Sequence, residues 1–234
     1  MTPELLADGL VWYVVFLFST TLHEAAHAFT AWKMGDNTAY LGGQVTLNPL
    51  PHIRREPFGT VIMPVLSFFL SGWMMGWASA PYNPQWAFRY PRRAAIMSLA
   101  GPVANLLLVV GAGMMIRAGI AFEIFAPPER ITFMHLAEAQ SGTVGVHIAT
   151  IFSVFFSLNL LLFAFNLLPV PPLDGSSVAP LLMSERLGQR YLSLLHRSAF
   201  ALLGLLIAWQ AFGYVYRPLH HFALTLLYPD ISYR

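Results

Sequence analysis

The chain has 234 residues, of which 56% are hydrophobic and only 10% carry a charge. With a mean hydropathy of +0.58, this composition excludes an ordinary soluble domain and predicts a membrane protein embedded in a lipid bilayer. The formal net charge is only +2 and no run of Lys or Arg suits a phosphate backbone, so we expect no nucleic-acid partner. The chain contains no cysteine, so any metal site must use His and carboxylate ligands.

Five apolar runs follow one another along the chain, and each is about long enough for the roughly 20 residues that cross a bilayer. They cover residues 10–32, 59–80, 94–116, 146–168 and 198–216. The connections between them are short and hold most of the Pro, Gly, Arg and Lys residues. We therefore expect one membrane-embedded domain over residues 1–234, with an all-α polytopic fold of four or five transmembrane helices.

The first run contains the sequence His23-Glu24-Ala25-Ala26-His27, which fits the pattern HExxH. Residues four apart lie on one face of a helix, so both imidazoles can reach one metal ion while Glu24 lies beside its bound water. A glutamate inside an apolar span costs roughly 2.5 to 3.5 kcal/mol on insertion scales, so it needs a compensating role. The alternative is a pair of structural histidines that bond to neighbouring helices, with Glu24 paired to an arginine.

Residues 40–49, between the first two runs, contain Gly-Gly, then Val-Thr-Leu, then Asn-Pro. This pattern predicts a short β-hairpin, and a plain loop is an equal alternative. The second run, residues 59–80, either crosses the membrane or is a re-entrant segment that bends near Pro64, Ser71 and Gly72 and returns to the same side.

The fourth run ends in residues 166–175, where Pro169, Pro171 and Pro172 forbid regular continuation of a helix. Irregular backbone at membrane depth is tolerated only where it is buried in protein or lines a wet cavity. Asp174 is therefore the best candidate for a third metal ligand, because the other carboxylates lie in loops. Its alternative role is that of an N-cap for the following segment.

Three motifs in the same order resemble those of the site-2 protease family, in its compact branch without PDZ or CBS domains. They are the HExxH pattern, Ala100-Gly101-Pro102-Val103-Ala104-Asn105 in the third run, and residues 166–175. The resemblance implies that His23, His27 and Asp174 bind Zn²⁺ and that Glu24 is the general base. It also implies substrates that are transmembrane segments of other membrane proteins, as in regulated intramembrane proteolysis.

The tetrahedral intermediate of such a reaction needs a hydrogen-bond donor besides the metal, and Asn166 is our candidate. The alternative is that Asn166 ties helices together, a role that we assign to Asn105 and Asn159. The remaining histidines have no partner at ligand spacing, so we expect them near the membrane interfaces: His52, His135, His147, His196, His220 and His221.

The basic residues indicate which side of the membrane each connection occupies. If all five runs cross the membrane, six basic residues lie on one side and seven on the other, which gives no orientation. If residues 59–80 are re-entrant, nine basic residues lie on one side and four on the other. By the positive-inside rule the side with nine faces the cytoplasm, and Asp174 then emerges beside His27. In that arrangement we expect a multi-pass protein of the cell (inner) membrane, with its active site near the cytoplasmic leaflet.

Two other functions are compatible with these residues. Histidines and an acid at membrane depth also describe a metal transporter or sensor, although an ion pathway has no need of a glutamate next to the first histidine. A catalytically inactive scaffold that binds helices without cutting them is the second alternative. The intact set of ligands and base favours the protease.

Overall fold

The computed structural model describes residues 3–195, 198–231 and 233, and most of them are helical. The helices are α1 (Pro3–Lys33), α2 (Thr38–Leu41), α3 (Pro49–Arg55), α4 (Met63–Ser71), α5 (Pro84–Arg89), α6 (Pro91–Ala121), α7 (Thr143–Asn166), α8 (Glu185–Leu195) and α9 (Ser198–Leu227). A π-helical turn, Phe58–Ile62, precedes α4, and two 3-10 helices, Asp174–Ser177 and Ala179–Leu182, precede α8. Strands β1 (Phe125–Ala126) and β2 (Glu138–Ala139) pair antiparallel between α6 and α7.

Three helices in the described part are long and apolar enough to cross a membrane: α1, α6 and α7. The fifth apolar run forms α9, which is 30 residues long. At about 1.5 Å per residue, each of these four helices reaches the roughly 30 Å of a hydrocarbon core. The predicted all-α membrane fold is therefore confirmed, and the described residues form four long helices.

The long helices pack through two apolar clusters. One joins α6, α7 and α9 through Val109, Ile116, Phe156 and Leu160, with Leu227 at the end of α9. The other packs the first half of α1 against α7 and α4 through Trp12, Phe16, Phe68, Val154 and Leu158. Polar residues of α1 contact α6 and α7 instead: Ser19, His23 and His27.

The second apolar run doubles back. Its helical part, Phe58–Ser71, has 14 residues and a length of about 21 Å, which is too short to cross. Gly72 ends the helix with φ of +76°, a conformation that favours glycine. The chain then returns alongside itself, because Trp77 donates its N–H to the carbonyl of Gly59 at 3.1 Å. The segment therefore doubles back on itself, which favours the re-entrant alternative.

Two arginines at the start of α6 bring chain ends together on one side. The Arg93 guanidinium donates to the Met34 carbonyl at 3.1 Å, so the end of α1 lies beside the start of α6. Arg92 donates to the Met183 carbonyl at 3.0 and 3.2 Å, so the segment before α8 lies there too. A second run that crossed the membrane would have put the start of α6 on the opposite side from Lys33.

The predicted hairpin in residues 40–49 is wrong, and the alternative, a loop, is what forms. Gly43 has φ of +70° and the chain turns there without a strand. The polar groups of this loop bond to helix α3 instead. The Asn48 side chain accepts the Leu50 N–H at the start of α3, and the His52 ring donates to the Thr46 carbonyl. These local bonds replace the ladder that a hairpin would need.

Candidate metal centre

Helix α1 places His23 and His27 one turn apart on the face that packs against α6. Both side chains are buried, and their Nε2 atoms lie 3.0 Å apart. The two rings meet edge to face, with centroids separated by 4.6 Å. The HExxH spacing therefore produces the shared face that the sequence predicted.

Asp174 reaches the histidines from the segment after α7. Its Oδ2 atom lies 3.1 Å from Nε2 of His23 and 3.3 Å from Nε2 of His27. Helix α7 ends at Asn166, and the proline-rich stretch that follows carries the chain to Asp174, the first residue of a 3-10 helix. Gly175 permits this path, because a Cβ atom there would overlap the carbonyl oxygen of Leu167.

The other nitrogen of each imidazole is held by α6. Nδ1 of His23 lies 2.6 Å from Oδ1 of Asn105, and Nδ1 of His27 lies 2.7 Å from the carbonyl oxygen of Met97. A carbonyl oxygen only accepts, so Nδ1 donates in both cases, and in the neutral imidazole Nε2 then keeps its lone pair. Histidine ligands of metals are oriented in this way by their outer neighbours.

A chain of buried side chains extends from His23 through three helices. Asn105 donates its amide to Oδ1 of Asn159 at 2.8 Å, and Asn159 donates to Oγ of Ser19 at 2.9 Å and to the carbonyl of Phe155 at 2.8 Å. Asn105, Asn159 and Ser19 are fully buried. The predicted interhelical role of the two asparagines is seen here, and Asn105 also fixes the ring of a candidate ligand.

The side chains of His23, His27 and Asp174 fit a tetrahedral metal ion. Their ligand atoms lie within 4.8 Å of one another, and they are the one group of this kind in the part of the chain that the structure describes. A tetrahedral zinc ion with bonds of about 2.0 to 2.1 Å needs its ligand atoms roughly 3.3 Å apart, close to the separations seen here. Two imidazoles and one carboxylate leave a fourth position for water, which is the pattern of a catalytic site.

Gly101 forms the wall of the cluster on α6. A Cβ atom at this position would lie 2.5 Å from Nε2 of His23 and still closer to Nε2 of His27. Met97, Gly101 and Asn105 are spaced four apart, so they lie on one face of α6. This face supplies the Met97 carbonyl that His27 contacts, the space above Gly101 and the Asn105 amide that His23 contacts. The sequence predicted an interhelical role for Asn105, but it did not indicate that Met97, Gly101 and Asn105 contact the histidines.

Glu24 is 7% exposed and lies between the two histidines in sequence. Its carboxylate makes no ion pair with any residue that the structure describes, which removes the expected arginine pairing of the alternative interpretation. Asn166 is half-buried at the end of α7, and its side chain has no hydrogen bond within the described residues. Neither side chain is therefore held by a hydrogen bond or an ion pair to a residue that the structure describes.

The remaining histidines lie away from this cluster. His52 is 2% exposed beneath the loop that precedes α3, and its expected location near a membrane interface stays a prediction. It is buried because its ring donates to the Thr46 carbonyl and so closes that loop. His135, His147, His220 and His221 are at least partly exposed, and His196 lies outside the described residues.

The chain is similar to several bacterial proteins. It is 40% identical over 164 residues to "Putative zinc metalloprotease YwhC" of Bacillus subtilis, covering 69% of this chain and 64% of that protein. It is 33% identical to "Putative zinc metalloprotease Rip2" of Mycolicibacterium smegmatis over 68% of this chain and 52% of that protein. For the protein of the same name from Mycobacterium tuberculosis H37Rv, the identity is 33% and the shares are 86% and 70%.

The chain thus spans about half to two thirds of the length of the first two relatives. No solved structure matches it. The sequence profile of peptidase family M50, which is the site-2 protease family, matches residues 11–209 and so includes all three motifs. The resemblance seen in those motifs is confirmed, and the chain belongs to peptidase family M50.

Proposed function

We propose that this chain is an intramembrane zinc metalloprotease that hydrolyses peptide bonds in transmembrane segments of other membrane proteins. One observation carries the proposal: Nε2 of His23, Nε2 of His27 and Oδ2 of Asp174 converge to separations of 3.0 to 3.3 Å. They do so among helices long and apolar enough to cross a bilayer. Family membership supports the same reading.

In this proposal His23, His27 and Asp174 hold Zn²⁺. When bound, the ion polarises a carbonyl group and lowers the pKa of its water toward about 7. Glu24 accepts the proton of the attacking water and passes it to the nitrogen of the leaving amine. Asn166 donates a hydrogen bond to the carbonyl oxygen as that oxygen becomes negative.

The surroundings of Glu24 and Asn166 support these roles. Glu24 is next to a ligand in sequence, and no described cation pairs with its carboxylate, so the oxygens are available to accept a proton. Asn166 lies eight residues before Asp174 on the segment that leaves α7, and its amide has no described hydrogen-bond acceptor. Each group is thus free for a substrate.

The proposal extends to the location of the site. The end of α1, the start of α6 and the segment before α8 lie on one side, and the connections there carry most of the basic residues. By the positive-inside rule this side faces the cytoplasm, which places the reaction near the cytoplasmic leaflet of the inner membrane. We also propose that residues 1–234 act as one membrane-embedded domain.

Glu24→Gln tests the mechanism, because it removes the proton acceptor and no ligand. Cleavage of a panel of single-span helices should fall by about two to four orders of magnitude, while purified protein keeps its zinc. Asp174→Ala should instead lose zinc together with activity. Near wild-type cleavage by Glu24→Gln would overturn the mechanism, and a wild-type protein that binds zinc but cuts no helix would be the inactive scaffold.

A further inference from the structure

Helix α8 lies across the start of α6. Its inner face carries the buried residues Gly188 and Leu192. A Cβ atom at Gly188 would lie 3.0 Å from Cβ of Pro91, so α8 rests directly on the first turn of α6. The two hydrogen bonds from Arg92 to the Met183 carbonyl fix the chain just before the helix. These contacts hold α8 at this end of the bundle.

The outer side of α8 combines an apolar stripe with a basic one. Leu187 and Leu194 are 52% and 50% exposed, and a spacing of seven residues puts them on one face. Arg186 and Arg190, four residues apart and both exposed, form the adjoining stripe. Leu182, just before the helix, is 96% exposed. Exposed leucines beside exposed arginines are typical of a helix that lies in the plane of a membrane interface.

The charge of this side of the molecule favours anionic headgroups. Eight basic residues of the described chain lie in the connections on this side, against three acidic ones, Asp36, Glu56 and Glu185. The basic ones are Lys33, Arg54, Arg55, Arg89, Arg92, Arg93, Arg186 and Arg190. Asp36 is buried and accepts the backbone N–H groups of Thr38 and Asn83, so it neutralises little of the surface.

Helix α8 is also connected to the segment that carries Asp174. The Tyr191 hydroxyl donates to the Ser176 carbonyl at 2.7 Å, and Ser176 is two residues from Asp174. The Ser176 hydroxyl in turn donates to the Leu173 carbonyl at 2.7 Å, which closes the turn on the other side of Asp174. A shift of α8 would therefore pull on the turn that presents the carboxylate to His23 and His27.

We propose that α8 is an interfacial helix that binds anionic phospholipid headgroups through Arg186 and Arg190, and that Tyr191 transmits its position to the turn of Asp174. Leu187 and Leu194 enter the acyl region and set the depth of the helix. The first part of this proposal, lipid binding, depends only on the geometry of α8. The link to activity rests on the proposed metalloprotease function.

The chain has no cysteine, so single spin labels report on α8 without background. Labels at Leu194→Cys and Ser193→Cys would be compared in nanodiscs of phosphatidylcholine alone and of phosphatidylcholine with increasing phosphatidylglycerol. We expect the Leu194 label to be exposed to oxygen and shielded from a water-soluble nickel chelate, and the Ser193 label to show the reverse. Phosphatidylglycerol should immobilise the Leu194 label further. A Leu194 label that remains fully accessible to the chelate would overturn the interfacial position.

The arginines are tested by the double variant Arg186→Gln/Arg190→Gln. Each arginine near an anionic surface is expected to contribute about a five-fold change in lipid affinity, so the midpoint of the phosphatidylglycerol titration should move strongly upward. The control Arg130→Gln/Arg217→Gln removes two exposed charges from outside this side of the molecule and should leave the midpoint unchanged. Equal midpoints for wild type and the α8 variant would overturn headgroup binding by these arginines.

Tyr191→Phe tests the link to the metal-ligand turn, because it removes the hydroxyl and keeps the ring. Zinc affinity, measured by competition with a chelator, should fall several-fold in this variant, and it should no longer respond to phosphatidylglycerol. Unchanged zinc affinity and unchanged lipid response would overturn the link while the lipid titration stands. If wild-type protein binds no zinc at all, the proposed metalloprotease function fails instead. Zinc binding by the wild type therefore separates that failure from failure of the Tyr191 link.

Discussion

Gly101 and His23 approach so closely that no side chain fits between the backbone of α6 and the imidazole. A Cβ atom at Gly101 would lie 2.5 Å from Nε2 of His23, well inside van der Waals contact, and it would meet Nε2 of His27 as well. These nitrogens are the atoms that face Asp174. The space above Gly101 is therefore the space that the proposed zinc ion requires.

We expect Gly101→Ala to abolish or strongly weaken zinc binding, because the new methyl group displaces the imidazoles from their common centre. Helix propensity alone would favour alanine by about 1 kcal/mol, so a loss reports on the contact and not on the helix. Gly111→Ala is the matched control on the same helix, since a Cβ there meets no atom within 4 Å. Zinc content and thermal stability of both variants test this, and Gly101→Ala with full zinc occupancy would contradict it.

A second prediction concerns the amide that orients His23. Asn105→Leu removes the acceptor of the Nδ1 proton, so the ring loses its fixed orientation, and zinc affinity should fall about 10- to 100-fold. Asn105→Asp keeps an acceptor for that proton and should retain much more of the affinity. Chelator competition measures both variants, and equal affinities for Asn105→Leu and wild type would show that the hydrogen bond has no orienting role.

Sidedness gives a third prediction. Single cysteines at the exposed positions Arg54, Gln85 and Ser193 should react with impermeant reagents from one side, and a cysteine at the exposed position Gln140 should react from the other. The re-entrant path of Phe58–Ser71 and its return requires this pattern. Labelling of Arg54→Cys and Gln85→Cys from opposite sides would mean that this segment crosses the membrane.

The parts of the site that the sequence predicted are those with local causes. The four-residue spacing of His23 and His27 specifies a shared helix face, and the prolines before Asp174 specify an irregular segment. The carbonyl of Met97 could not be predicted in this way, because a backbone group carries no signal of its own in the sequence. It contacts His27 only because α1 and α6 pack at one particular register.

Residues 59–80 and 40–49 also take conformations that their local sequence does not specify. Residues 59–80 have the length and composition of a span, and the reversal follows from Gly72 and from pairing of Trp77 with Gly59, which are eighteen residues apart. The Val-Thr-Leu sequence before Asn48 has strand propensity, but capping of α3 by Asn48 uses the chain differently. Long-range hydrogen bonds and helix caps overrode propensity in both cases.

Gly204 gives the last prediction, because it lies where α9 meets the segment that leads to Asp174. A Cβ atom at Gly204 would overlap the carbonyl oxygen of Pro171, three residues before Asp174. Nearby, Ala208 packs with Leu168 and Leu173, and the rings of Phe165 and Phe212 meet edge to face at 5.3 Å. Helix α9 thus packs directly against the proline-rich segment that leads to Asp174.

Gly204→Ala should push α9 and the segment apart, which costs about 1 to 3 kcal/mol of stability by overpacking and moves Asp174 relative to the histidines. We therefore expect a lower midpoint of thermal unfolding together with a loss of zinc affinity. Gly213→Ala, on the same helix, places its methyl group where no atom lies within 4 Å, so both quantities should stay at wild-type values. Calorimetry and chelator competition measure them in parallel. If Gly204→Ala lowers the unfolding midpoint but binds zinc as wild type does, α9 stabilises the fold without positioning Asp174, the proposed third ligand.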